Sequence, residues 1–340
     1  MLELTWPQVI ARRLARSHLL EPAPHERIVD VVRDVGLIQA QVLPAAELGL
    51  ALRVREATVA DVRRELYERR SLVKTWCIRG TLHLVPADEL ALCAAAARGP
   101  DAPAPTPLDD AIAAALEGRC LTRKELAEAV GDQRLLSAWG EGLWTPAVTG
   151  KLCFGPPQGA NVTFVRADEW IGDWRDVDPA AARREVLRRY LRAYGPANPD
   201  DFRRWSGFGR DAAKALFAEA ELEDVRVEGK RAWLLAGDDA DLDRDPRCLE
   251  LLPRYDVYVL GFRPREPLVP EAVRERIKND PRGRWETITG MAPLIVDGVA
   301  AGLWRRTECE IEVEHVLPFP RGRRRELADA VDRVREIVGY

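Results

Sequence analysis

Val73-Lys-Thr-Trp-Cys-Ile-Arg-Gly-Thr-Leu-His-Leu-Val85 reads as a strand, a glycine-containing turn and a second strand. Helices precede it. Thr5-Trp-Pro-Gln8 has the form of a capping box, with Pro7 in the first turn, where proline is tolerated. Trp6, Val9, Ile10 and Leu14 then recur at helical spacing. Ile28, Val31, Val32 and Val35 mark a second helix, and Gly36 is a natural stop. A third helix is expected near Pro44, which suits a first turn, and a fourth from Thr58-Val-Ala-Asp61 to about Arg70. Helices followed by a hairpin is the winged-helix pattern.

The pattern recurs downstream with a period of about 70 residues, in shape rather than identity. Residues 108–117 form an apolar helix, Thr122-Arg-Lys-Glu125 caps another, and Gly140, Gly142 and Pro146 interrupt a third. Leu152-Cys-Phe-Gly-Pro-Pro-Gln-Gly-Ala-Asn-Val-Thr-Phe-Val165 is the second hairpin. A third copy has helices at 179–194, at Asn198-Pro-Asp-Asp201 with Phe202 and Trp205, and at 209–220. Its hairpin, Val225 to Leu235, turns at Glu228-Gly229. The last hundred or so residues change character. Leu249 to Phe262, Leu294 to Trp304 and Cys309 to Leu317 have strand length, Asp297-Gly298 signals a hairpin, and Glu326 to Val338 is a closing amphipathic helix. The expected fold class is α+β: three tandem winged-helix units (helix-turn-helix plus β-hairpin), then a C-terminal antiparallel β domain with a closing helix. The expected bounds are 1–98, 106–176, 178–237 and 246–340, with the Pro-rich stretch Gly99 to Pro107 and the acidic loop 237–246 as linkers.

Composition sets limits on the class. The 340 residues are 46% apolar and 31% charged, which suits folded domains and excludes a disordered or collagen-like chain. The longest apolar runs fall far below the ~18 residues of a membrane helix. Arg12, Arg13 and Arg16 interrupt the first apolar pattern, so no signal peptide is expected and the chain is placed in the cytoplasm, away from membranes. None of the six cysteines forms a CxxC pair, and the four histidines form no HxxxH or HExxH pair, so neither a zinc site nor a disulfide scaffold is expected. The cysteines read as scattered buried thiols. No metal and no redox cofactor is implied.

Net charge is −4, but six of the 51 basic residues are Lys and the remaining 45 are Arg, the side chain suited to phosphate forks. A GC-rich genome would give the same bias. Acid is partly segregated at 237–245, while Arg183, Arg184, Arg188, Arg189 and Arg192 load one helix, so a neutral sum can hide a basic face. Three helix-plus-wing units suggest a binder of double-stranded nucleic acid. Arg79 at the first hairpin turn reaches either a phosphate or a carboxylate, and His83 is either a DNA contact or a satisfied core histidine. Arg203, Arg204, Arg210 and Lys214 surround the third unit's helix–turn–helix corner, and Lys230 and Arg231 cap its wing. These, with Arg79 and His83, are the candidate DNA-binding residues; solvated charged faces are the alternative. Arg321, Arg323, Arg324 and Arg325 are either a second backbone patch or the charged start of a helix.

No Ser-His-Asp order, P-loop or dinucleotide fingerprint is present. The singular feature is Gln39-Ala40-Gln41. Side chains at i and i+2 share one face of an extended segment and diverge on a helix. Between the stop at Gly36 and Pro44, an extended segment would aim both amides at one spot and turn Ile38, Ala40 and Val42 toward the core. Taken alone, two such glutamines also serve as structural amides bonding nearby backbone.

Gly36-Leu-Ile-Gln-Ala-Gln41 resembles the catalytic Gln-apolar-Gln motif of the AlkZ branch of winged-helix DNA glycosylases. Trp76 to Val85 resembles the wing of their first unit, and Leu152 to Pro156 and Leu252 to Gly261 match later blocks, in order along essentially the whole chain. The related YcaQ branch has Asp where this chain has Gln41. The resemblance implies a monofunctional DNA glycosylase that removes bulky N7-alkylguanine and unhooks interstrand crosslinks, with a hairpin, not assigned here, approaching the lesion. It makes Gln39 and Gln41 the catalytic residues, and duplex DNA carrying an alkylated purine the partner of a monomeric enzyme. Glutamines suit that chemistry. An N7-alkylated guanine is already cationic and departs neutral, so no general acid is needed, and an amide oxygen can orient the attacking water. The rival readings are a winged-helix regulator without chemistry and a general small-adduct glycosylase.

Overall fold

The computed structural model describes residues 2–99, 104–137, 140–280, 287–307 and 310–339. The chain divides into two units, residues 1–62 with 188–340 and residues 63–187. Cys309 and part of the Pro-rich stretch expected as a linker lie outside the described residues.

The first unit begins with β1 (Leu2–Leu4) and α1 (Trp6–Arg16). The Gln8 side chain accepts the Thr5 N–H at 2.9 Å, closing the expected capping box. α2 (Ile28–Asp34) ends in a Schellman arrangement: the Gly36 N–H reaches the Arg33 carbonyl at 3.1 Å and the Leu37 N–H that of Val32 at 3.0 Å. Gly36 has φ +69°, which only glycine adopts without strain. β2 (Ile38–Gln39) and α3 (Leu43–Ala51) follow, with Pro44 in the first turn of α3. α4 (Val59–Tyr67) carries the chain into the second unit.

In the second unit β3 (Leu72–Trp76) and β4 (Leu82–Pro86) form the antiparallel hairpin read from the sequence, with Thr75 opposite His83. α5 (Leu90–Arg98), α6 (Pro107–Leu116), β5 (Leu121–Thr122), α7 (Arg123–Val130) and α8 (Trp144–Val148) lead to the hairpin of β6 (Cys153–Gln158) and β7 (Asn161–Val165). These last strands join β5 in the order β5-β7-β6. One core spans both hairpins. Trp76 and Leu82 pack with Ile112, Leu126 and Leu135, and the Trp76, Phe154 and Phe164 rings follow one another at 5.0 Å centroid spacings. α9 (Ala167–Ile171) and α10 (Pro179–Tyr194) return the chain to the first unit.

There α11 (Pro199–Ser206), α12 (Arg210–Glu219), β8 (Leu222–Val227) and β9 (Lys230–Leu235) form a helix–helix–hairpin set. β1 pairs in parallel with β8, making a three-stranded sheet whose core holds Leu4, Val9, Val225, Val227 and Leu234. β1 has no counterpart in the sequence reading: three residues are too few for a periodicity signal, and their partner lies over two hundred positions away.

β10 (Leu249–Leu251), α13 (Val257–Gly261), α14 (Glu271–Lys278), β11 (Pro293–Val296), β12 (Val299–Arg306), β13 (Ile311–His315) and α15 (Arg324–Val338) complete the chain. The four strands form one antiparallel sheet in sequence order, and α15 packs on β10 and α3. The expected strand from Leu249 to Phe262 is cut short. Pro253 cannot donate to a ladder, and Asp256 caps a helical turn by accepting the Tyr258 N–H at 2.9 Å. Asp297 and Gly298 turn the β11–β12 hairpin with φ of 49° and 80°, as a two-residue primed turn requires. The protein is therefore an α+β fold of several small sheets.

Candidate functional site

The Gln-Ala-Gln segment is launched from two consecutive left-handed residues. Leu37, at φ 80°, follows Gly36, and a bulky side chain in that region is strained. The launch point is held from behind: the Tyr194 hydroxyl donates to the Val35 carbonyl at 2.7 Å, and the Trp205 ring stands 3.5 Å from where a Gly36 Cβ would sit. From there burial alternates. Ile38 and Ala40 are buried, Gln39 is half-buried and Gln41 is exposed. Val42 departs from the expected alternation, being 39% exposed. It is the residue before the first turn of α3, so the period of two gives way to helical geometry at that point.

α3 is tied to the C-terminal sheet region by buried charge. Arg53, just beyond α3, donates from Nη1 to the Gly49 carbonyl at 2.7 Å and forms a two-pronged bridge to Asp256 at 2.9 and 2.7 Å, with both side chains fully buried. The Arg333 guanidinium donates to the Leu52 carbonyl and lies 3.5 Å from Glu250. Burial raises the Glu250 carboxyl to about 7, against the pull of Arg333 and Arg53. Asp256, a residue of the block from Leu252 to Gly261, thus owes its place to fold assembly as well as to capping.

At the first hairpin Arg79 has φ 60° and is half-buried, with Nη2 3.4 Å from His83 Nε2. His83 is 2% exposed, and its Nδ1–H donates to the Thr81 carbonyl at 2.9 Å. Burial, then the Arg79 charge, lowers the ring to about 3, so it is neutral near pH 7 and presents Nε2 as an acceptor toward Arg79. His83 thus sits as a satisfied core histidine behind Arg79.

The third hairpin is where the sequence candidates gather. Arg210, Lys214 and Arg231 line one open cleft of about 490 Å³, together with Arg203, Asp200, Asn198, Pro199 and Trp233. Arg204 pairs with Asp200 at 3.2 Å outside the lining, and Lys230 is exposed at the hairpin tip. Trp233 carried no functional signal in the sequence. Its partial exposure follows from strand alternation beside Ala232 and Leu234, which are buried.

Other charges turn inward. Asp238 of the acidic loop pairs with Arg12 at 2.8 Å and Arg16 at 2.7 Å, and Asp241 with Arg16 at 2.7 Å, so the segregated acid neutralises α1. Arg323 bridges Asp297 at 2.6 Å and also binds Glu326 and the Cys248 carbonyl, which makes it a structural arginine rather than part of a surface patch. Cys77, Cys93, Cys153 and Cys248 are buried thiols, and burial pushes Cys248 up to about 12. Among the described residues no three His, Cys, Asp or Glu side chains are grouped to hold a metal, and no helix is long and apolar enough to cross a membrane.

A family model described as "DNA glycosylase AlkZ-like" matches residues 32–337. The chain is 33% identical to an interstrand DNA cross-link repair glycosylase of Streptomyces sahachiroi, over 94% of this chain and 92% of that protein. Its fold matches the solved structure of Streptomyces sahachiroi DNA glycosylase AlkZ with a TM-score of 0.79 at 30% identity, covering 99% of this chain and 97% of that one. The chain belongs to the AlkZ-like DNA glycosylase family.

Proposed function

We propose that this protein is a monofunctional DNA glycosylase that hydrolyses the N-glycosidic bond of N7-alkylguanine, including bulky adducts and interstrand crosslinks, in repair or in self-resistance to a genotoxin. Gln39 and Gln41 are its catalytic residues. The observation that carries this reading is the alternation at 38–41, in a chain 33% identical to a crosslink repair glycosylase. Gln39 ends β2 and Gln41 follows two residues later; both are more exposed than Ile38 and Ala40, and two carboxamides so spaced can share one reacting centre.

Alkylation at N7 makes the guanine a cation, so bond cleavage returns it to a neutral leaving group without protonation. One Gln oxygen then accepts a hydrogen bond from the attacking water, and the second carboxamide supports the sugar as it gains oxocarbenium character. Each tenfold in rate needs only ~1.4 kcal/mol, within reach of a few oriented hydrogen bonds. Around this site we read three tandem winged-helix units, 1–98, 106–176 and 178–237, and a C-terminal β domain, 246–340, acting as a monomer on duplex DNA. Arg79, held by His83, and Arg204, Arg210, Lys214, Lys230 and Arg231 are read as contacts to the DNA backbone.

The chemistry predicts selectivity. Duplexes carrying N7-methylguanine should yield alkali-labile strand breaks, and a crosslinked duplex should be unhooked. Uracil should be left in place, because as a neutral base it needs help that two amides do not supply. Uracil release as fast as that of N7-methylguanine would refute the mechanism.

A further inference from the structure

The cleft beside the third hairpin contains cations of two kinds. Arg210, the first residue of α12, and Lys214, one turn later, lie on its exposed face and form no ion pair within 4 Å among the described residues, although the Arg210 charge reaches Asp200, which Arg203 and Arg204 already hold. Arg231 is held from two directions. Asp224, its diagonal neighbour across the β8–β9 ladder, takes the Arg231 Nε–H at 2.8 Å and an Nη2–H at 2.9 Å. The Arg231 guanidinium also lies over the Trp233 ring, 4.8 Å from its centroid. That ring is itself anchored: Trp233 exchanges backbone hydrogen bonds with Ala197 at 2.9 and 3.1 Å, and Phe217 meets the indole edge-on at 5.9 Å.

An exposed ion pair adds little to stability, so the Asp224–Arg231 bridge does little for the fold. It does fix an otherwise flexible side chain. With both Asp224 oxygens engaged on one edge of the fork, Nη1 is left to a ligand, and Asp224 keeps its charge because the bond to Arg231 holds its carboxyl below the usual range.

We propose that this cleft seats one DNA backbone phosphate, that Arg210 and Lys214 supply its unneutralised charge, and that Asp224 is a positioning residue which, with Trp233, holds Arg231 ready to bind it. The identity of the polyanion rests on the glycosylase reading; the seat itself rests on the geometry. An acid at a phosphate site would ordinarily weaken binding by repulsion. A positioning role predicts the reverse sign on its removal.

The test measures affinity of the full-length protein for undamaged duplex DNA across a series of KCl concentrations, with thermal melts to confirm folding. Arg210→Gln and Lys214→Gln should each weaken binding, and the double variant should flatten the plot of log K against log salt by about 0.9, the loss of one phosphate contact. Asp224→Asn should weaken binding about threefold, and Asp224→Glu should recover part of the loss. Tighter or unchanged binding by Asp224→Asn overturns the positioning role, and an unchanged slope in the double cation variant overturns the seat. Release of N7-methylguanine by the unmodified protein is followed in parallel. Failure of that activity counts against the enzyme reading alone, whereas an unaltered slope beside an active enzyme counts against the seat alone.

Discussion

Leu37, at φ 80°, stores backbone strain of about 1–3 kcal/mol immediately before the two glutamines. The strain persists because Leu37 is buried and because Tyr194 and Trp205 hold the turn that precedes it. Gly36→Ala tests that support. A Cβ at φ +69° is strained wherever space exists, so the variant should lose about 1 kcal/mol in urea unfolding. It should also lose more base-release activity than its stability accounts for, since the amides move with the turn. Glu250 gives a second residue-scale outcome. Its folded carboxyl titrates near 7 against an ordinary 4.5, facing Arg333, Arg53 and Asp256. The folded state therefore binds more protons over that window, and the stability Glu250 contributes is present below pH 4.5 and is lost as pH rises through 7. Glu250→Gln should flatten unfolding free energy against pH between 5 and 8, where the parent protein falls by about 2–3 kcal/mol. The burial alternation at 38–41 was legible because its two boundaries, a glycine stop and a proline start, are local signals. Val42 was misread because the alternation was carried one residue into the helix entry.

Among elements, the end of α3 is tied to the C-terminal region by a buried pair, Arg53 with Asp256, beside the Arg333 contact to Leu52. Asp256→Ala leaves Arg53 charged inside the fold and should cost about 3–5 kcal/mol, read from urea midpoints at constant slope. The double variant Arg53→Met with Asp256→Leu should recover much of that loss, because it removes both charges. β1 makes a comparable prediction for the third hairpin. Leu4 is buried in a core with Val225 and Val227, and Leu4→Ala should cost about 2–5 kcal/mol. Capped helices and tight hairpins were readable because each carries its own start and stop residues, as Thr5-Trp-Pro-Gln8 and Asp297-Gly298 do. β1 and the Arg53–Asp256 bridge were not readable, because what defines each is a partner some two hundred residues away. The strand expected from Leu249 failed for a different reason: its apolar run fits strand or helix equally, and Pro253 with Asp256 decides for a turn.

For the whole molecule, a net charge of −4 is a poor guide to the partner, because charges are spent unequally. Arg12, Arg13 and Arg53 are buried, and Arg13 donates to the carbonyls of Tyr194, Pro196 and Arg263. The acid of the 237–245 loop is partly taken up by Arg12 and Arg16, while Arg210 and Lys214 remain available beside the third hairpin. The arginine excess in the sequence therefore divides into structural and surface populations that composition cannot separate. The family, by contrast, was legible, because its blocks run in order along the chain. In the proposed mechanism two carboxamides suffice to detach a base already activated by its own positive charge. Single-turnover release of N7-methylguanine from duplex DNA by Gln39→Ala and Gln41→Ala, with duplex affinity measured alongside, is the decisive experiment. Each variant should keep its affinity and lose about a hundredfold in rate, ~3 kcal/mol of barrier; full activity in both variants would rule the mechanism out.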